Sequence, residues 1–88
     1  MNILEYADVI NCNIIITYCH NQKSRFSADF ESAEIKGNSV LIGEYGNGNT
    51  PNEAINNYLD KIKGKTIVLQ AGTDYRREFL VPDYIEKL

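Results

Sequence analysis

Histidine occurs once, at His20, and cysteine twice, at Cys12 and Cys19, in a chain of 88 residues. A structural zinc site takes about four nitrogen or sulfur ligands. Thiols seven positions apart beside a single imidazole do not supply the close pairs that such sites use. Both thiols therefore read as free residues, buried or at an edge beside a strand, in a reducing compartment. Nucleophilic catalysis needs a base beside the nucleophile and a third group to orient it. Cys19 and His20, adjacent in sequence on a strand, are expected to point to opposite faces. Apolar runs are equally short. Ile14-Ile15-Ile16 is as long as any, against the roughly 20 residues that span a bilayer. No basic start followed by an apolar stretch marks a secretory leader. These shortages point away from a membrane protein, a secreted disulfide scaffold and a metalloenzyme. No cofactor is expected, and the expected location is the cytoplasm.

Charge of one sign is also short. Nine Lys and Arg against twelve Asp and Glu give a net charge of −3. Proteins that grip duplexes gather cations, since phosphate neutralisation supplies much of their affinity. The cations are unevenly spread, however. Lys61, Lys63, Lys65, Arg76 and Arg77 face only Asp60 and Asp74 between residues 60 and 77, which leaves a local basic edge open to a nucleic acid or nucleotide.

What is present fits one globular domain over residues 1–88, because 43% of the chain is apolar. Ile3, Tyr6, Ala7 and Ile10 recur at helical spacing and predict a short amphipathic helix over 2–10. Residues 13–19 are β-branched and aromatic and predict a strand, followed by a polar turn at 20–23. Residues 24–31 alternate, with Phe26, Ala28 and Phe30 to one side and Arg25, Ser27, Asp29 and Glu31 to the other. Asp29, Glu31 and Glu34 thus read as part of a solvated sheet face rather than as paired acid–base groups. The alternation slips at Ala33 and Ile35, and a bulge near Ser32 would absorb the extra residue. A turn at Lys36-Gly37-Asn38 leads to a third strand over 39–45.

The clearest local signal is Gly46-Asn47-Gly48-Asn49 followed by Thr50-Pro51-Asn52-Glu53. Thr50 is the expected N-cap, Pro51 the first helical residue, and Glu53 the carboxylate that reaches back to the Thr50 amide. The helix is expected to bury Ala54, Ile55, Tyr58, Leu59 and Ile62 and to stop at Gly64. Gly43, Gly46 and Gly48 read as a flexible turn into this helix, with a small anion at the helix start as the alternative. Strands over 66–70 and 75–81 follow, the second ended by Pro82. The expected fold is a two-layer α+β domain: a short N-terminal helix, then β-β-β-α-β-β, with one main helix on an antiparallel sheet.

The stretch GEYGNGNTPNEAINNYLDKIKGKTIVL (residues 43–69) resembles the HicB-type module, a partial double-stranded-RNA-binding-domain fold. More closely, YGNGNTPNEAI, KIKGKTIV and RREFLVP together resemble a group of small phage and prophage proteins. The resemblance implies that fold, a setting in a bacterial host cell, and a module that in the family covers a toxin partner. HicB antitoxins usually add a C-terminal DNA-binding segment, and only a short stretch follows the last turn here.

Tyr75-Arg76-Arg77-Glu78-Phe79 interleaves arginine with aromatics, which suits a protein hot spot or stacked bases. The plainer reading is an edge strand with Arg76 paired to a carboxylate and Phe79 in the core. Tyr75, Arg76, Arg77, Lys63, Lys65, Asn47 and Asn49 are the expected contact residues. The leading expectation is a non-enzymatic binding or inhibitor protein that occupies a host or phage protein and forms a homodimer. The alternative is a nucleic-acid or nucleotide binder that uses the basic edge and the Gly-rich turn.

Overall fold

A computed structural model describes residues 1–20 and 22–88. The elements run α1 (Ile3–Val9), β1 (Ile14–Tyr18), β2 (Phe26–Phe30), β3 (Ala33–Lys36), β4 (Leu41–Ile42), β5 (Gly46–Gly48), α2 (Pro51–Ile62), β6 (Thr66–Leu69) and β7 (Arg77–Leu80). The strands form two antiparallel sheets, ordered β1-β2-β5 and β4-β3-β6-β7. Helices and sheets share one core, so the α+β class stands. Among the described residues no helix is long and apolar enough to cross a membrane. The turn expected at 20–23 includes Asn21, which lies outside the described residues.

The strand pattern differs from expectation at two places, for one reason. Glu31 and Ser32 form a turn instead of a bulge, with Ser32 at φ +57° and its carbonyl accepting from the Gln70 amide at 2.9 Å. This turn carries the chain out of the first sheet and into the second. The side-chain alternation is reset there because β3 has new neighbours. The expected third strand over 39–45 is also divided. Ser39 sits at φ +75° in a turn, β4 pairs with β3, and β5 crosses back to pair with β2. One straight strand could not reach partners that belong to different sheets.

Both helices start as capping chemistry requires. The Thr50 hydroxyl accepts from the Glu53 amide at 3.1 Å, and Pro51 occupies the first turn. The reciprocal bond from Glu53 to the Thr50 amide, expected from the sequence, does not form. A complete capping box closes α1 instead: the Asn2 side chain accepts from the Glu5 amide while the Glu5 carboxylate accepts from the Asn2 amide, both at 2.9 Å. The α2 residues expected inside are all buried, and Gly64 ends that helix at φ +75°.

The glycines before α2 are not a flexible turn. Gly46 and Gly48 lie on β5, buried beneath the helix they precede. A Cβ on Gly46 would collide with the backbone of Ala54 and Tyr58, and one on Gly48 would stand 2.5 Å from the Ala54 nitrogen. Helix and strand therefore meet backbone to backbone, a separation that only glycine permits.

Phe30 sits at the centre of the core, edge-on to Tyr58 at 5.4 Å and tilted against Tyr6 at 6.4 Å. Ile3 from α1, Ile10 just past its end, Leu59 and Ile62 from α2, and Ile67 and Leu69 from β6 close around it. The C-terminal segment completes one wall. Ile85 is buried, the Glu86 amide donates to the Met1 carbonyl at 2.9 Å, and Leu88 and Asn56 exchange hydrogen bonds.

Candidate functional site

Helix α2 packs on β2 and β5, on the side to which Ala28, Phe30, Gly46 and Gly48 point. Among the described residues, no helix lies over the opposite face of the first sheet. Strand register lines up Thr17, Ser27 and Asn47 across its three strands, giving a row of two hydroxyls and an amide. Ile15 and Asp29 form the adjacent row. Beside the first row lies a cleft of about 740 Å³, bounded by Tyr18, Cys19, His20, Lys23, Ser27, Tyr45 and Asn47. Tyr45 is 52% exposed and Tyr18 58%. The Lys61 ammonium stands 5.3 Å from the Tyr45 ring centroid, and the Tyr18 hydroxyl accepts from Arg25 at 3.3 Å. Partial burial pushes the Asp29 carboxyl above its ordinary value of 3.8. This face can offer a row of neutral hydrogen-bonding groups, Thr17, Ser27 and Asn47, beside the Tyr45 ring and the Asp29 carboxyl.

The sequence-selected residues fall into three places. Asn47 lies on this face, and its carbonyl accepts from the Asn57 side chain at 2.6 Å. Asn49 is exposed just before Thr50. Tyr75, Arg76 and Arg77 converge with Asn11, Gln70 and Asp74 on a separate concavity of about 600 Å³ at the closed end of the β6–β7 hairpin. Lys63 and Lys65 stand near its open end, where Thr66 pairs with Leu80. Four strand positions, or about 13 Å, separate Lys65 from Leu69 opposite Arg77. The expected basic edge is thus divided between the two ends of one hairpin.

Its arginines are also engaged within the fold. Arg76 pairs with Glu78 at 3.0 Å, and Glu78 pairs again with Lys36 at 3.0 Å. These two cations hold the Glu78 carboxyl below its ordinary range, the Lys36 contact contributing most. The Arg77 guanidinium donates to the carbonyls of Ile10 at 2.7 Å and Asn11 at 3.2 Å. It thereby supplies, from β7, the cation that the last turn of α1 lacks. Phe79 is half-buried against the core with Arg77 over its ring. The strand with a paired Arg76 and an inward Phe79 is the arrangement seen.

Cys19 and His20 lie beyond the end of β1 and border the same cleft, so strand alternation does not separate them as expected. The Cys19 sulfur sits 3.8 Å from both the Thr17 carbonyl and the Ser27 hydroxyl. Burial raises the Cys12 thiol above its ordinary value, which disfavours the reactive thiolate. Among the described residues, no group of three or more His, Cys, Asp or Glu side chains is placed to hold a metal. The cleft went unnoticed in the sequence because its lining comes from three separate segments. The alternation at Ser27 and the asparagine at Asn47 are its legible traces. Comparison of the chain with protein-family models, curated proteins and solved structures finds no match.

Proposed function

We propose that this chain is a small, non-catalytic binding protein of the phage type that acts by occupying a protein partner, in an antitoxin-like or anti-defence role. The observation that carries this reading is the uncovered face of the first sheet, with its Thr17–Ser27–Asn47 row beside Tyr45. Contact surfaces between proteins favour tyrosine and disfavour lysine and carboxylates at their centres. The resemblance to the HicB-type module points the same way, because that module covers a toxin. A nucleic-acid partner draws less support. Phosphate tracking needs several cations along one line, and here Arg76 and Arg77 are spent on internal contacts.

The test uses immobilised protein, its Asn47→Lys, Tyr45→Ala and Tyr75→Ala variants, and a bacterial lysate at low and moderate salt. The expected result is one stoichiometric protein retained at both salt levels. Asn47→Lys and Tyr45→Ala should weaken it at least about tenfold, as loss of a hot spot does, and Tyr75→Ala should keep it. Retention of nucleic acid that disappears as salt rises, or loss confined to Tyr75→Ala, overturns the proposal.

A further inference from the structure

We propose that β1 pairs antiparallel with β1 of a second copy of this chain, on a two-fold axis at Ile16, fusing two three-stranded sheets into one. The phase of the β1–β2 ladder carries the inference. At its two ends the Glu31 amide donates to the Asn13 carbonyl at 2.9 Å, and the Cys19 amide donates to the Arg25 carbonyl at 2.6 Å. Antiparallel partners exchange hydrogen bonds at alternate residues. Asn13, Ile15, Thr17 and Cys19 therefore turn their backbone groups toward β2, while Ile14, Ile16 and Tyr18 turn theirs outward. β1 is the outer strand of its sheet, so this outward row meets solvent.

The row is complementary to itself. With Ile16 opposite Ile16 of the second copy, Ile14 of each chain falls opposite Tyr18 of the other. Every outward amide and carbonyl then finds a partner. Natural edges are usually blocked by lysine, proline or a bulge, and Ile14–Tyr18 contains none of them. Ile16 and Tyr18 are 39% and 58% exposed. They share the side on which α2 lies, at the strand next to those it covers, so a second strand would shelter them.

Charge adds a small preference for this orientation, since β2 of one copy would lie about three strand spacings from β2 of the other. The turn end of the β1–β2 hairpin carries Lys23 and Arg25, and its open end carries Asp29 and Glu31. Antiparallel self-pairing sets the basic end of each copy against the acidic end of the other, and parallel pairing would align like charges. A five-residue ribbon is narrower than a standard interface of roughly 1,200–2,000 Å². The dimer is accordingly reversible and depends on concentration.

Sedimentation across a concentration series tests this, with Ile16→Lys and Ile16→Cys variants and circular dichroism to confirm folding. The unsubstituted chain should approach twice 10.0 kDa as concentration rises. Ile16→Lys sets two like charges opposite each other and should weaken association at least about tenfold without altering the spectrum. Ile16→Cys should form a disulfide dimer on mild oxidation, mapped between the two introduced thiols, because opposed Cα atoms would lie about 5.5 Å apart. Val9→Cys, on the exposed side of α1, should not. A monomer at every concentration, or a dimer indifferent to Ile16→Lys and not linked through Ile16→Cys, overturns the proposal. Neither result bears on partner binding through Tyr45 and Asn47, so the two proposals fail separately.

Discussion

The two sheets solve the problem of their outer surfaces differently. In the second sheet, Glu34, Val68 and Glu78 align across β3, β6 and β7 on the side away from the core. Val68 is fully buried there although it lies outside the central core cluster. Lys36, Arg76 and Glu78 form a chain of ion pairs on that surface, and the β7 edge carries Arg77 and Glu78. Among the described residues the first sheet has no such guarding chain of ion pairs. Its outer face presents Ile15, Thr17, Ser27 and Asn47 alongside the Asp29 carboxylate, and its β1 edge is wholly uncharged. A chain of this size has few residues to spare for surfaces without a task. The contrast is between an outer surface knit by ion pairs and one left uncovered by a helix.

The largest effect should come from the strand that joins α2 to the first sheet. Gly46→Ala forces a methyl group into the helix backbone and should cost about 3 kcal/mol, lowering the melting temperature by more than about 10 °C. Gly43→Ala and Gly72→Ala, with open space around each and no positive φ, should leave stability unchanged or raise it by up to about 1 kcal/mol. Thermal denaturation of the three variants checks this. Equal effects would mean that the close approach of helix and strand is not what holds the open sheet in shape.

A smaller effect separates the two arginines of the guarded sheet. Arg77→Ala removes two charge-assisted hydrogen bonds to the end of α1 and should cost about 1–2 kcal/mol. The loss should appear as faster amide hydrogen exchange in α1. Arg76→Ala, which removes only an exposed ion pair, should fall within the scatter of a denaturation curve. If both behave alike, Arg77 is a surface cation and the basic-edge reading regains ground.

The smallest effect is one of sign with pH. Glu78 on the guarded sheet is held below its ordinary 4.5, so its contribution to stability is present above that value and is lost as pH falls through its folded pKa. Asp29 on the open sheet is raised above 3.8. Its folded state favours the proton, so stability is full below 3.8 and declines as pH rises through the folded pKa. Glu78→Gln should therefore destabilise, and Asp29→Asn should stabilise, at neutral pH. Urea denaturation between acid and neutral pH reads both, and matching signs would erase the distinction between the two faces.

How far the fold was legible varies by element. Helix α2 was written in the sequence from Thr50 to Gly64, because caps and spacing are local and its buried face follows a single period. The alternation of Phe26, Ala28 and Phe30 likewise foretold which side of β2 is inside. The division into two sheets was not legible. Ser32 and Ser39 adopt left-handed backbone, a conformation that serine does not announce as glycine does. The pattern Gly46-x-Gly48 was visible, but its meaning depended on a helix lying across it. The hydrogen bonds of Arg77 to Ile10 and Asn11 are not legible, since those residues stand more than sixty positions away in sequence.

The sequence by itself determined what acts over a few residues: the cap at Thr50, the buried stripe of α2, the inward side of β2 and the uncharged run Ile14–Tyr18. Tertiary structure alone decided that α2 would be the element lying on the inward side of β2 and that the other side would stay uncovered. It also decided that Arg77 would close α1 and that the β1 run would lie at an edge. The physical reason is range. Capping and periodicity are fixed by neighbours within one or two turns, whereas coverage and edge position depend on strands and helices that meet only once the core has closed around Phe30.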